Sequence, residues 1–329
     1  MFDLERLNGI SAAVLGDLAL DIYWYADMKQ SELSRETPHY PLPVVREVMS
    51  LGAGGNVAAN LAALKPGRLS VCGIRGDDWR GEILEEKLKT VGADTAGLIT
   101  EPGRFTQAYC KPMRMGISDV IYEDPRLDFA AQTDPDKKTE DAILAWLDNI
   151  DGNADILCVC DQFRHGVVTD AVLDRLARMK TPLAVDSRSR IGDFRGRGVL
   201  KPNEDECRAA LRRAGHDIPG TARGMAEQLA EDTGMNVLLT LGSEGSLYVS
   251  ADGMTCAETG AVSLEGPLDI CGAGDTSLSA FASCLAAGAS PAEAAEVAAC
   301  ASAVTVKKIG TTGTASREEI RTVFGTRDR

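Results

Sequence analysis

Residues 11–15 (SAAVL) form an uninterrupted apolar run closed by Gly16-Asp17. That pattern predicts a buried parallel strand whose carboxyl end delivers an acid. Behind a Gly-rich turn, residues 56–64 (NVAANLAAL) carry the Ala/Leu texture of a helix, stopped by Pro66-Gly67. From there the texture alternates. Strands are predicted at 69–74, 155–160, 182–186, 198–201, 236–241 and 246–250. Helices are predicted at 81–91, 138–149, 167–179, 203–214, 221–233, 276–287 and 291–308. The last helix opens with Ser290-Pro291-Ala292-Glu293, a capping box with proline at its first position. Strands alternating with helices predict an α/β fold with a mostly parallel central sheet and helices on both faces.

Two stretches break the alternation. Residues 22–45 hold Tyr23, Trp24, Tyr25 and Tyr40 together with Pro38, Pro41 and Pro43, which rules out a central strand around the prolines and permits edge strands or a clasp. Residues 105–130 are also mixed and β-like. We expect one domain over 1–329, with a small β-sheet lid built from insertions at about 22–45 and 105–130.

Composition narrows the function. With 35 basic against 49 acidic residues the formal net charge is −14, and no basic run occurs, so nucleic acid and anionic membrane surfaces are poor partners. The nine cysteines are scattered and the three histidines make no zinc spacing. A disulfide framework does not suit a chain of this size, so we expect a reducing cytoplasmic setting. The charged start has no apolar core of a signal peptide, and no apolar run is long enough to span a membrane.

The strongest chemical feature is Asp269-Ile270-Cys271-Gly272-Ala273-Gly274-Asp275 at the mouth of a helix. Such a turn aims successive N–H groups, and the helix dipole behind them, at one anion. Asp275 at the helix start can face that anion and take a proton from an attacking hydroxyl, the arrangement phosphoryl transfer needs. A helix-capping aspartate behind a flexible turn explains the same residues, so the motif alone decides little. Three further Gly-rich elements change the balance: Gly52 to Asn56, Gly73 to Asp78, and Leu241 to Gly245. No G-x-x-x-x-G-K-[ST], no G-x-G-x-x-G after a strand and no G-x-S-x-G is present.

Together these motifs resemble the ribokinase-like (PfkB) carbohydrate kinases along nearly the whole chain. The resemblance rests on Asp269–Asp275, the turn from Gly52 to Ala58, the G-x-x-G-x-D-x-x-G element Gly73–Gly81, and the N-x-x-E motif Asn203–Glu206. It is closest to the kinase domain of bacterial heptose-phosphate enzymes, through Gly16–Asp21 with Tyr23-Trp24-Tyr25, Asn56–Asn60, Arg126–Phe129 and Lys308–Thr311. It implies a ribokinase-like fold and an ATP-dependent sugar kinase, with heptose 7-phosphate phosphorylated at C1 as one outcome. Ribokinase, fructokinase and ketodeoxygluconate kinase activities, or a weakly catalytic sugar or nucleotide sensor, are the others.

The resemblance also implies roles. Asp275 is the base, and the backbone of Gly272, Ala273 and Gly274 is the anion hole. Asp17, Asp21, Gly52 and Asn56 bind the sugar, with Lys111, Arg126 and Asp128 coming down from the lid; Arg114 and Arg188 are further cations available to a sugar phosphate. Thr240, Gly242 and Gly245 approach ATP, while Asn203 and Glu206 organise Mg²⁺. Each residue also has a plainer reading: Asp21 as a turn acid, Lys111 as a solvated lysine, and Glu206 as a first-turn acid favoured by the helix dipole. A monovalent cation is compatible with the family. The exposed edge of the lid needs cover, so a homodimer through it is expected. Two departures stand out. Ala53 replaces the second glycine of the N-terminal turn, and Cys271 stands where a small hydroxyl residue is expected.

Overall fold

The computed structural model describes residues 2–310 and 312–326; Thr311, the last residue of the Lys308–Thr311 string, lies outside them. In chain order the elements are β1 (Ser11–Gly16), β2 (Leu18–Asp27), β3 (Val44–Ala53), α1 (Gly54–Ala63), β4 (Arg68–Gly76) and α2 (Trp79–Thr90). Next come β5 (Asp94–Glu101), β6 (Gln107–Met115), β7 (Tyr122–Glu123), β8 (Leu127–Phe129), α3 (Lys137–Ile150), β9 (Ile156–Asp161), α4 (Asp170–Leu176) and β10 (Leu183–Ser187). The chain continues through β11 (Gly198–Leu200), α5 (Glu204–Arg213), α6 (Ala222–Thr233), β12 (Asn236–Thr240), β13 (Ser246–Val249) and β14 (Cys256–Thr259). It closes with α7 (Ala273–Ala286), α8 (Pro291–Thr305) and α9 (Arg317–Thr326).

Nine strands form the main sheet in the order β14-β13-β12-β11-β10-β9-β1-β4-β5. All its neighbours run parallel except β12–β13 and β13–β14. Side-chain alternation along β1 supplies both faces. Ala12 and Val14 join a core with α1, α7 and α8, while Ala13 and Leu15 join one with α3 to α6. The near-continuous apolar runs of the sequence are therefore strands buried on both sides.

The second sheet has the order β3-β2-β6-β7, with β8 also pairing β6. Here the structure revises the expected insertions. The first strand begins at Leu18 and the second runs on to Ala53, so the sheet extends beyond 22–45 at both ends. β2 is an interior strand, paired antiparallel to β3 and parallel to β6. Pro38, Pro41 and Pro43 lie in the connection between β2 and β3, where no ladder hydrogen bond is required of them.

Other differences have local causes. Helix α4 is shorter than the expected 167–179 because Val167 donates its N–H elsewhere and Thr169 caps the helix. The edge strands β5 and β14 carry polar residues and escaped the apolar pattern. So did α9, whose buried Arg317 donates from Nε to the Leu64 carbonyl (2.7 Å) and from Nη2 to the Lys65 carbonyl (2.7 Å) at the end of α1. The capping box at Ser290 is present as expected. No helix among the described residues is long and apolar enough to cross a membrane.

Candidate active site

The parallel strands of the main sheet end in charged side chains on one edge. Asp17 follows β1, Asp161 ends β9, Asp186 lies near the end of β10 and Lys201 follows β11. Crevices at the carboxyl ends of such strands are where α/β sheets bind ligands. The turn that opens α7 faces this edge. Gly272 caps the helix at φ 77°, a left-handed conformation for which glycine carries no steric penalty. It also has no room for a side chain, because a Cβ there would stand 2.7 Å from Asn56 Nδ2.

That close approach brings two distant motifs together. Asn56, buried in the first turn of α1, donates from Nδ2 to Asp275 Oδ2 (2.7 Å). Asn60 donates to the Asn56 side chain (3.2 Å) and accepts from Thr276 Oγ1 (2.8 Å), so a buried polar chain fixes the Asn56 amide. Burial pushes the Asp275 carboxyl up to about 7 and the Asp186 charge adds to this, against the Asn56 hydrogen bond and the Lys201 charge. A carboxylate poised near neutrality suits a group that must accept a proton at physiological pH.

Lys201 and Asp186 were missed by sequence reasoning. They form a buried ion pair, Nζ to Oδ2 3.1 Å. A Cβ on Gly274 would lie 3.4 Å from Lys201 Nζ, so the ammonium sits against the Gly272–Gly274 turn. Burial opposes the Lys201 charge, but Asp186 and Glu206 outweigh it and the net shift is upward. The Ala273 N–H, expected in the anion hole, instead donates to the Ile270 carbonyl (3.2 Å), so the turn sets the Gly272 and Gly274 N–H groups beside a buried positive charge, a low-dielectric setting in which both would act strongly on a bound anion. The readable signal was positional: a lysine directly after a buried parallel strand.

The second sheet supplies the facing wall. Lys111 on β6 pairs with Asp21 on β2 (3.0 Å) and donates to Tyr23 Oη (2.9 Å). Burial lowers the Lys111 pKa, but the Asp21 charge together with the hydrogen bonds to Tyr23 and Asp21 outweighs it, so the net shift is upward. Gly52 is required beside them, since a Cβ there would come within 2.8 Å of Asp21 Oδ2. Arg126 forks onto Asp128 through Nε (2.6 Å) and Nη2 (2.8 Å) and stacks over Tyr109, 4.2 Å from the ring centroid. The Arg126 charge is felt at Asp21, and that of Asp21 at Asp275. In register Tyr109 lies beside both Asp21 and Asp128, so Asp21, Gly52, Lys111, Arg126 and Asp128 are neighbours at the second sheet, and with Asn56 and the turn Gly272–Asp275 they make up the lining of one candidate crevice.

Asp17 has a different role from the one expected. The sequence reading placed it among the sugar ligands. Its Oδ2 accepts backbone N–H bonds from Gln162 (2.8 Å) and Phe163 (2.7 Å), and its Oδ1 accepts from Val167 (2.7 Å). Only 2% exposed and bonded to three backbone N–H groups, it is turned into the protein and shapes the loop after β9. Arg114 is likewise occupied, paired with Asp124.

On the other side of Lys201, Asn203 and Glu206 form a reciprocal capping box on α5. Asn203 Oδ1 accepts from the Glu206 N–H, and Glu206 Oε2 accepts from the Asn203 N–H, both at 2.9 Å. The plainer reading of Glu206 is therefore part of its role. Its Oε1 takes no hydrogen bond among the described residues. Thr240, bridged to Asn203, ends β12 and leads into the turn with Gly242 at φ 57° and Gly245 at φ 103°. Gly245 admits no side chain because a Cβ would collide with the Thr259 carbonyl at 2.0 Å. Among the described residues no three His, Cys, Asp or Glu side chains converge as a metal cluster.

Residues 195–318, which include α5, the Leu241–Gly245 turn and the Asp275 motif, match the pfkB family carbohydrate kinase profile. The chain carries a PfkB-family carbohydrate kinase domain. The bifunctional protein HldE of Citrifermentans bemidjiense is 33% identical over 328 residues, spanning 97% of this chain and 64% of that protein. HldE of Geotalea uraniireducens is 32% identical over 325 residues with the same coverages, 97% and 64%. The chain thus spans just under two thirds of the curated relatives it matches. Escherichia coli phosphofructokinase-2 in complex with substrates and products superposes with a TM-score of 0.76 at 19% identity, over 97% of this chain and 100% of that one. Ribokinase from Thermotoga maritima gives 0.71 at 21% identity, over 96% and 100%. The PfkB domain has the ribokinase-like fold expected of it.

Proposed function

We propose that this sugar kinase transfers the γ-phosphate of ATP to a hydroxyl of a phosphorylated sugar, with the C1 hydroxyl of a heptose 7-phosphate as the leading acceptor. The observation that carries the reading is the Asn56–Asp275 hydrogen bond beside the Gly272–Gly274 turn and Lys201. The acceptor oxygen attacks phosphorus in line while its proton passes to Asp275. The bond from phosphorus to the bridging oxygen of ADP breaks, and ADP departs. The turn and Lys201 hold the charge spread over the transferring oxygens. Asn56 aims the carboxylate, and the Asp21–Lys111 pair and Arg126 orient the acceptor.

Mg²⁺ fits the donor set, because its preference for retained water asks for few protein carboxylates. Glu206, with Oε1 unspent, and Asn203 would hold it through water; when bound it neutralises charge on the phosphates. Thr240, Gly242 and Gly245 form the nucleotide side. HldE homology favours the heptose acceptor, and the cations of the second sheet favour an acceptor with an anionic group. That sheet and the loops beside it also expose Leu42, Val44, Val45, Ile121, Tyr122 and Leu127, apolar side chains that a homodimer through the sheet would cover in part.

The test is ADP release with ATP and Mg²⁺ against heptose 7-phosphate, fructose 6-phosphate, ribose and unphosphorylated heptose. A strong preference for a phosphorylated acceptor is expected. Equal or better use of the unphosphorylated sugars overturns the acceptor class, and no turnover on any acceptor overturns the kinase reading. Light scattering at micromolar concentration checks the dimer, and a monomer refutes it.

A further inference from the structure

Arg80 lies outside the crevice, in the first turn of α2, yet its side chain reaches into the second sheet. The guanidinium carbon stands 3.7 Å from the Phe129 ring centroid and 4.6 Å from that of Trp79. Its ion pair is a long one, 3.6 Å to Asp78, and its Nε is buried without a hydrogen-bond partner. A guanidinium only 12% exposed and so sparingly hydrogen-bonded is held chiefly by aromatic faces. Phe129 is braced from another side by Phe105, edge-on at 6.0 Å.

Phe129 ends β8, the three-residue strand that brings Asp128 beside Tyr109 and follows directly on Arg126. So short a strand, paired on one side only, has little hold of its own on β6. The corner that carries Arg80 is by contrast firmly built. Asp78 caps α2 through the Gly81 N–H (2.9 Å) and accepts the Thr106 N–H (3.1 Å) at the start of β6.

We propose that Arg80 is a positioning residue that pins β8 to the main sheet and thereby holds Arg126 and Asp128 over the acceptor side of the crevice. The pin acts through the Phe129 ring, and its kinetic consequence rests on the acceptor site described above. Arg80 touches neither substrate nor base. Its loss raises KM for the acceptor and leaves kcat nearly unchanged.

The experiment pairs amide hydrogen exchange, which needs no substrate, with steady-state kinetics. In Arg80→Ala, exchange in a peptide covering 126–130 quickens by between about 2-fold and about 30-fold, the span of a lost cation–π contact. Peptides from β2 and β3 are unchanged. Phe129→Leu reproduces the effect, and the double variant adds little, as expected for two ends of one contact. Acceptor KM rises by a similar factor in each. Unchanged exchange at 126–130, or quickening spread equally over β2 and β3, overturns the pin. If the wild-type protein phosphorylates no sugar phosphate, the proposed function fails, while the exchange result still decides the role of Arg80.

Discussion

Asp17 follows β1 and Asp275 lies in the first turn of α7, and their carboxyls are both pushed up to about 7. Burial is the main cause at each, and each feels a second aspartate: Asp161 for Asp17, Asp186 for Asp275. Their surroundings differ in what is left over. Asp17 accepts three backbone N–H bonds and meets no solvent. Asp275 accepts a single hydrogen bond from Asn56 and stays partly exposed at the helix mouth. A perturbed titration therefore does not by itself mark the working acid. What favours Asp275 for the proposed role is unspent acceptor capacity beside the Gly272–Gly274 turn.

The largest expected effect breaks the comparison on the side of Asp275. Asp275→Asn removes the base and lowers kcat by about 10³-fold, within the range for general-base loss, while nucleotide binding measured by calorimetry persists. Next is the charge beneath the turn. Lys201→Gln combined with Asp186→Asn keeps a neutral hydrogen-bonded pair, and kcat falls by about 10²-fold, the cost of one lost electrostatic contact to the transition state. Thermal unfolding of that double variant stays close to wild type, because no buried charge is left unpaired.

A third measurement uses pH. The proposed mechanism requires ionised Asp275, so kcat/KM is expected to decline as pH falls through about 7, by about tenfold per unit on the acid limb. Stability moves the other way. Both folded-state values lie above the ordinary 3.8, so between roughly 4 and 7 the native protein binds protons that the unfolded chain has released. These two groups therefore add stability as pH drops from 8 toward 5. The smallest effect on turnover is at Asp17. Asp17→Asn turns an amide donor against one of three backbone donors and costs about 1–3 kcal/mol in denaturant unfolding, while kcat of the folded fraction stays in the wild-type order of magnitude.

Much of the fold was legible because strands buried on both faces write themselves as apolar runs and capped helices announce their ends. β5, β14 and α9 were not, since edge strands and a helix anchored by Arg317 need few apolar residues. In the site, the Gly272–Asp275 turn could be read because anion-binding backbone demands glycine. Lys201 and Asp186 could not be singled out, because their meaning comes from the order of β10 and β11 in the sheet. Asp17 was misread for the complementary reason. An acid at a strand end looks the same in sequence whether it faces a ligand or a loop.

The chain leaves the main sheet after Gly16, runs through β2 and β3, and turns back into α1 at Ala53-Gly54, where the Gly54 N–H donates to the Asp17 carbonyl (2.8 Å). Departure and return are thus stitched together at one point. A swing of the second sheet about this point would have its axis close by. Displacement grows with distance from an axis. Asn56, two residues from Gly54, would hold its aim at Asp275 through such a swing, while the far ends of β2 and β6 would sweep the widest arc. The aiming and the enclosing parts of the proposed site would therefore be geared differently, with Asp275 kept in register while the wall facing it travelled.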